Sequence, residues 1–271
     1  MVRSLGTEEQ AMAFARELMR MYLDAPEDVS SPWFNPLVSD LLTKHYGLPE
    51  DRYVEEKELS NRYVLERMDT IREKVNSAED PVYAGLQFAI LGNYLDFSAL
   101  QGQVSFEKLD EMLDKAQDFL LDREVYQQLR AQLEQGRKLL YLTDNAGEIG
   151  FDRIFAETIA EKYPHLEITF CVRGQVTIND ATRADAEAVG IPFKVIDNGN
   201  RVPGTQLDLL SDEAKTVLDE SDVVIAKGMA NVETMYGCGY NIFYAFLVKC
   251  QRFVTLFDKP LMTPMLVRER K

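Results

Sequence analysis

The chain has 271 residues, 46% hydrophobic and 28% charged, which suits one large folded domain or two smaller ones. It lacks the roughly 18 unbroken apolar residues of a membrane-spanning helix, and its formal net charge of −15 disfavours nucleic acid and anionic membrane as partners. Three scattered cysteines form no disulfide framework, and the acidic start at Glu8 and Glu9 has no apolar signal core, so a cytoplasmic protein is expected.

Residues 1–135 show helical spacing throughout. Thr7 and Gln10 form a capping box ahead of MAFARELMRMYL. Asn35-Pro36 offers an N-cap followed by a proline at the first helical position, and Gly47 ends that helix. From Asp51 to Val75, the positions of Tyr63, Val64, Met68 and Ile71 predict a long helix with one buried face. Asp80-Pro81 starts the next helix, which runs to about Leu91 and delivers Gly92-Asn93-Tyr94-Leu95-Asp96. Ser105 caps another, with Leu109, Met112, Leu113, Ala116, Phe119 and Leu120 on one side.

Near Gly136 the pattern changes. Short β-rich runs, KLLYLT, EITFCV, PFKVID, DVVIA and RFVTLF, alternate with helices expected at about 149–162, 180–189, 207–219 and 233–248. Such alternation predicts a mostly parallel sheet with helices on both faces. The expected fold is therefore α/β: a helical, substrate-facing N-terminal half (1–135) packed on a Rossmann-like three-layer α/β/α half (136–271) that binds metal and phosphate.

Three of these strands end in polar residues. The first runs into Thr143-Asp144-Asn145-Ala146-Gly147-Glu148, the second leads to Asn179-Asp180, and DVVIA ends in Lys227-Gly228, with Asn231 and Glu233 just beyond. Strand ends of a parallel sheet lie on one edge, where such folds bind their ligands. Asp144, Asn145 and Asp180 offer hard oxygens suited to a divalent cation such as Mg²⁺ or Mn²⁺. Lys227 can pair with an anion, and Gly228 admits a ligand close to the backbone. Asn or Asp before a helix is also an ordinary cap, and glycine an ordinary turn residue. Three such ends together favour a site: a cation beside an anion is what a phosphate ester requires.

The strings LTDNAGEIGFD, VRGQVTINDAT and AKGMANVE, with GNYLD upstream, resemble the damage-control phosphatases, the metal-dependent group long known as domain of unknown function 89. The four motifs occur in family order between about residues 85 and 235. The resemblance implies metal ligation by Asp144, Asn145 and Asp180, and a phosphate-contacting Lys227 that shares the catalytic role with Asp144 and Asn145. It also implies substrate contacts from Asn93 and Asp96, and Gly228 and Asn231 beside Lys227 are expected as further substrate contacts. The cofactor implied is Mn²⁺, Mg²⁺, Ni²⁺ or Co²⁺, and the substrates are sugar phosphates or damaged phosphometabolites. The stand-alone microbial branch usually opens with a CxxC pair. Here Cys171, Cys238 and Cys250 form no such pair: either the lineage lost it or the chosen start lies downstream of the true one.

Other residues are expected to be bland. His45 and His165 sit in no ligand-spaced cluster, so neither a zinc site nor a Ser-His-Asp triad is expected. Cys171 reads as a core residue, Asp152 as helix surface, and Asp197-Asn198-Gly199-Asn200 as a turn or a substrate contact. Glu148 reads either as a helix first-turn acid or as a support for the metal ligands. No GxGxxG or P-loop follows the first strand. Two competing functions stay open: an S-adenosylmethionine-dependent carboxyl methyltransferase, which the absent glycine-rich loop counts against, and a non-catalytic metal- or phosphometabolite-binding module. For a phosphatase, both a water activated by a carboxylate and a direct aspartate nucleophile are open.

Overall fold

A computed structural model describes residues 6–97 and 104–269. Helix α1 (Glu8–Asp24) opens on the expected capping box: Thr7 Oγ1 accepts from the Gln10 backbone at 3.2 Å, and Gln10 Oε1 accepts from the Thr7 backbone at 2.9 Å. Helix α2 (Phe34–Tyr46) ends on Gly47 at φ +66°. It starts earlier than expected, continuing a 3₁₀ turn at Ser31–Trp33, so Asn35 and Pro36 lie inside its first turn. Helix α3 (Val54–Asn76) and α4 (Pro81–Gly92, capped by Asp80) follow, then α5 (Phe106–Asp114, capped by Ser105) and α6 (Arg123–Gln135). Because α5 stops at Asp114 and a 3₁₀ turn intervenes, Leu120 is exposed rather than on that helix's apolar side.

The second half alternates as expected up to its fourth strand: β1 (Lys138–Leu142), α7 (Glu148–Lys162), β2 (Glu167–Val172), α8 (Arg183–Ala188), β3 (Lys194–Asp197), α9 (Asp212–Glu220), β4 (Val223–Lys227) and α10 (Gly228–Met235). Beyond that, two expectations are reversed. β5 (Ile242–Leu247) occupies the stretch expected as the end of a helix, and α11 (Gln251–Phe257) occupies the stretch expected as a strand; β6 (Pro264–Arg268) closes the chain. Gly237 and Gly239, at φ +94° and +83°, follow the shortened α10, and the unbroken apolar run IFYAFL is buried on both faces. Periodicity alone does not separate such a run from a buried helix. In α11, Phe253 and Phe257 stand one turn apart and both pack on Phe246.

The sheet order is β3-β2-β1-β4-β5-β6, parallel except for the β5–β6 pair. Its order reverses between β1 and β4, the topological switch point at which doubly wound sheets bind ligands. Both faces are covered. Leu139 and Tyr141 join Phe88, Leu91, Phe151 and Phe155 on one side, whereas Leu140 and Leu142 join Leu218 and Phe253 on the other. The first of these cores draws on both halves of the chain. α4 lies so close to α7 that a Cβ on Gly92 would stand 2.7 Å from the Phe151 ring. The C-terminal end of α4 is thereby brought over the end of β1.

Phe151 is fully buried in that shared core. Phe151→Ala should cost about 3–5 kcal/mol. The lone tryptophan, Trp33, reports on the N-terminal half, and far-UV circular dichroism reports on both. The two urea transitions should coincide in the wild type and shift together in the variant. Separate midpoints would show that the halves unfold independently.

Candidate active site

The turn after β1 is fixed by its neighbours. Asp144 O accepts from Ala181 N at 2.7 Å and Asn179 O from Ala146 N at 2.9 Å, so the loop carrying Asp180 is strapped to the loop carrying Asp144. Gly147, at φ +75°, opens α7, and its N–H donates to Asn61 Oδ1 at 2.7 Å. A Cβ there would strike Ser60 at 2.6 Å. On the other side of the switch point Gly228, also at φ +75°, lies under the Asp144 carboxylate, and a Cβ would come within 1.9 Å of Oδ2. That position therefore requires glycine.

These loops form one wall of a cavity of about 170 Å³. Asp96, Asp144, Asn145, Asn179 and Asp180 line it, with Glu233 on the same lining and Ser31, Pro32 and Asn35 contributed by the helical half. The expected metal ligands Asp144, Asn145 and Asp180 are thus brought together, beside Asp96. Lys227, Gly228, Asn93 and Asn231 lie behind the wall.

Each of these has a defined partner set. Asn93 Nδ2 donates to Asp144 Oδ2 at 2.9 Å and to Glu148 Oε2 at 2.8 Å, while its Oδ1 accepts from Leu247 N. Asn231 Nδ2 donates to Thr143 O and Lys227 O. Lys227, with no exposed side-chain surface, spends its three N–H donors on Glu148 Oε1 (2.7 Å), Asp152 Oδ1 (2.7 Å) and Ala89 O (2.8 Å). In this arrangement Lys227 is a counter-charge beneath the site. Glu148 takes the supporting role, joining Lys227 to Asn93 and Asn145.

Several site residues were missed in the sequence or assigned a different place. Asp152, expected on the helix surface, is fully buried one turn after Glu148, where it also accepts from Tyr141 OH at 2.8 Å. Arg173 is buried and clamps Asp180 Oδ2 through Nε at 2.7 Å, with Nη2 on Thr143 O. Lys249, just beyond β5, donates to Asp96 Oδ2 at 2.6 Å and to Asn93 O at 2.7 Å. The spacing predicts a helix over 233–248, which leaves Lys249 just past a helix rather than at a strand end. With β5 as a strand, Lys249 is a polar residue at a strand end, as Lys227 is at the end of β4. Glu233 pairs with Arg252 at 3.1 Å. The 197–200 segment is a turn: Asn198 Oδ1 accepts from Gly174 N and Asn200 N, and the segment does not reach the cavity. Cys171 is a core residue, its thiol pushed up to about 12 by burial.

The electrostatics of this region are unbalanced. Among the described residues, Asp96, Asp144, Glu148, Asp152 and Asp180 are buried with three cations, Lys227, Lys249 and Arg173, so full ionisation of these groups leaves two negative charges in excess. The nearby Lys57–Asp185 pair adds no net charge. Burial raises the Asp144 carboxyl well above its ordinary range, reinforced by Glu148 and Asp180. Burial likewise raises Asp180, against the pull of Arg173. Burial pushes Asp152 up to about 7, with Lys227 opposing. The Lys227 ammonium works against burial too, but Asp152 and Glu148 outweigh it and hold it above the usual lysine value.

A doubly wound sheet whose switch point carries a buried, carboxylate-rich crevice defines the class: an α/β protein with a polar crevice at its strand ends, where such folds bind small ligands. The chain belongs to the damage-control phosphatase family, since the model described as "Damage-control phosphatase ARMT1-like domain" matches residues 2–263. It is 32% identical over 206 residues to a damage-control phosphatase of Archaeoglobus fulgidus, covering 74% of this chain and 70% of that one. It is 32% identical over 204 residues to damage-control phosphatase PH1575 of Pyrococcus horikoshii, covering 74% and 69%. It also shares 30% identity over 254 residues with an uncharacterized protein of Methanocaldococcus jannaschii, covering 90% and 82%. The fold matches the crystal structure of a DUF89 family protein, PH1575 of Pyrococcus horikoshii, with a TM-score of 0.82 and 26% identity, covering 99% of this chain and 93% of that one. The family and its named members support a phosphatase role for this chain.

The raised Asp152 carboxyl gives a pH dependence with a definite sign. Its folded value of about 7 lies above the ordinary 3.8, so its contribution to stability is complete below about pH 4 and is lost as pH rises towards 7. Between those limits the wild type should lose melting temperature relative to Asp152→Asn as pH increases. A difference that stays constant across the window would show that the folded Asp152 carboxyl is not raised above its ordinary value.

Proposed function

We propose that the chain is a metal-dependent phosphomonoesterase acting on small phosphorylated metabolites, either sugar phosphates or damaged phosphometabolites. The observation that carries this reading is the cavity's charge. Four carboxylates, Asp96, Asp144, Asp180 and Glu233, line it, and no lysine or arginine does among the described residues. A phosphate dianion would be repelled from such a cavity, and two excess buried negative charges match one divalent cation.

The donor set fits that cation. Asp144, Asn145 and Asp180 present carboxylate and carboxamide oxygens, the ligand type of Mg²⁺ and Mn²⁺. Both side-chain donors to Asp144 converge on Oδ2, and no described residue donates to Oδ1. Among the described residues no cluster of three or more His, Cys, Asp or Glu side chains is assembled for a metal. The set is instead two carboxylates and an amide, which leaves room for oxygens of water and substrate. When bound, the cation supplies charge to polarise the phosphoryl oxygens. The chain's own residues do the rest. Arg173 holds Asp180, Asn93 and Glu148 hold Asp144 and Asn145, and Lys249, beside Asp96, adds positive charge near the cavity. Asp96, Asn35 and Glu233 also line the cavity and would offer polar partners to the rest of the substrate. The crowding of carboxylates at the end of β1 disfavours the carboxyl group of S-adenosylmethionine there.

Phosphate release from a panel of sugar phosphates should require Mn²⁺ or a similar ion and stop with EDTA. Asp144→Asn or Asp180→Asn should lower kcat/KM at least 100-fold, about 2.7 kcal/mol in transition-state free energy. Turnover that is indifferent to EDTA and to both variants would overturn the reading.

A second expected outcome concerns protons. Asp144 and Asp180 have raised pKa values and must be ionised to hold a cation. Mn²⁺ binding should therefore release protons and tighten as pH rises. Calorimetry in buffers of different ionisation enthalpy measures the release, and a buffer-independent enthalpy would contradict it.

A further inference from the structure

Asn145 is the one expected metal ligand whose donor atom depends on how an amide is turned. One end of its side chain is an oxygen that can meet a cation, and the other is an NH₂ that repels one. Its Nδ2 donates to Asp144 Oδ2 at 2.7 Å and to Glu148 Oε2 at 2.9 Å. Its Oδ1 accepts from Asn179 Nδ2 at 2.8 Å. Asn179 is itself buried, and the same Nδ2 donates to Leu95 O at 3.2 Å. Both partners of that NH₂ are acceptors, so turning the Asn179 amide over would set its oxygen against two oxygens. The side-chain oxygen Oδ1 of Asn179, by contrast, is buried and has no partner. A buried amide oxygen left unpaired costs about 1–3 kcal/mol. The hydrogen bonds of the Asn179 side chain are thus all made by its NH₂.

From this arrangement we infer that Asn179 is a positioning residue. It fixes the amide of Asn145 so that the oxygen, not the NH₂, is turned to the side that lines the cavity. The NH₂ of Asn145 is anchored by Asp144 and Glu148, and its oxygen is held by Asn179 with one lone pair remaining. Groups that orient a ligand in this way typically change metal affinity 10–100-fold when removed. The inference rests on the proposed cation site. It adds a residue that neither the motif pattern nor the ligand set singles out, because Asn179 would otherwise be only the neighbour of Asp180. The connection to Leu95 O also places the helical half in this chain of contacts: GNYLD backbone, Asn179, Asn145, cavity.

The test is Mn²⁺ affinity, measured from the free-ion electron paramagnetic resonance signal rather than from turnover. Asn179→Ala should weaken Mn²⁺ binding 10–100-fold. In an Asn145→Asp background both terminal atoms are oxygens and nothing needs turning, so the same change should weaken binding less than about 3-fold. Such non-additivity is the signature of one residue acting through the other. Equal losses in the two backgrounds would mean that Asn179 acts through the fold or the general field, and would overturn the inference. So would no loss in either. If Asn179→Ala does not fold, Asn179→Leu keeps the volume without the donor and is measured in the same two backgrounds. A wild-type chain that binds no divalent ion would instead defeat the proposed cation site, a result distinct from either pattern.

Discussion

The ammonium of Lys227 holds three separate elements at one point. It stands at the end of β4, reaches two carboxylates on the first turns of α7, and closes on a backbone carbonyl of α4. With no exposed surface, the pair of ion pairs is not a source of net stability by itself, since desolvation consumes most of the attraction. Its removal is another matter. Loss of one partner in a buried pair typically costs about 3–5 kcal/mol, because the remaining charge has nowhere to go. Here two carboxylates would be stranded. Glu148 would then lose the anchor from which it holds Asn93 and Asn145, and through them Asp144. The polar layer behind the cavity thus hangs from one buried lysine.

The backbone had to be shaped to let these charges approach. Gly228 allows the Asp144 carboxylate to lie against the start of α10, and Gly147 lets the turn pass beneath α3 and the GNYLD segment. Both glycines adopt positive φ and both face side chains at distances that no Cβ tolerates. Gly92 does the same for the contact between α4 and α7. Three glycines in three motifs therefore have packing reasons. These apply before any ligand is considered, and each brings a polar element close to the switch point.

What could be read from the sequence follows from this physics. The three strand ends were legible because a polar cluster interrupts an apolar run there, and a parallel sheet must bring such ends to one edge. The placing of Asp144, Asn145 and Asp180 together needed no more than that. Lys227 was recognisable as important, but its surroundings were not: the sequence shows a lysine after a strand, not the two carboxylates buried with it. Asp152 sits one turn from Glu148, a spacing that marks a common helix face, yet a charged helical residue reads as solvent-exposed until a buried cation is known to face it. Lys249 was lost for a different reason. β5 is apolar on both faces and carries no alternation, so the strand and its polar end were hidden in what looked like a helix. Arg173 and Asn179 flank a recognised carboxylate, and only the fold shows that one clamps Asp180 and the other reaches across to Asn145.

The surplus of carboxylates links these parts. A cluster of five acids and three bases costs free energy in the folded chain, and burial raises the pKa values of Asp144, Asp152 and Asp180, which shifts these acids towards their neutral forms. A divalent ion would replace protons at the front of the cluster, at Asp144 and Asp180, while Lys227 continues to neutralise the back at Glu148 and Asp152. The two layers have different tasks, and Asn93 and Asn145 stand between them, donating to both Asp144 and Glu148. An amide can do this where a charged residue cannot. It passes orientation from the fixed rear layer to the exchangeable front layer without adding charge to a site whose function, on this reading, depends on being two positive charges short.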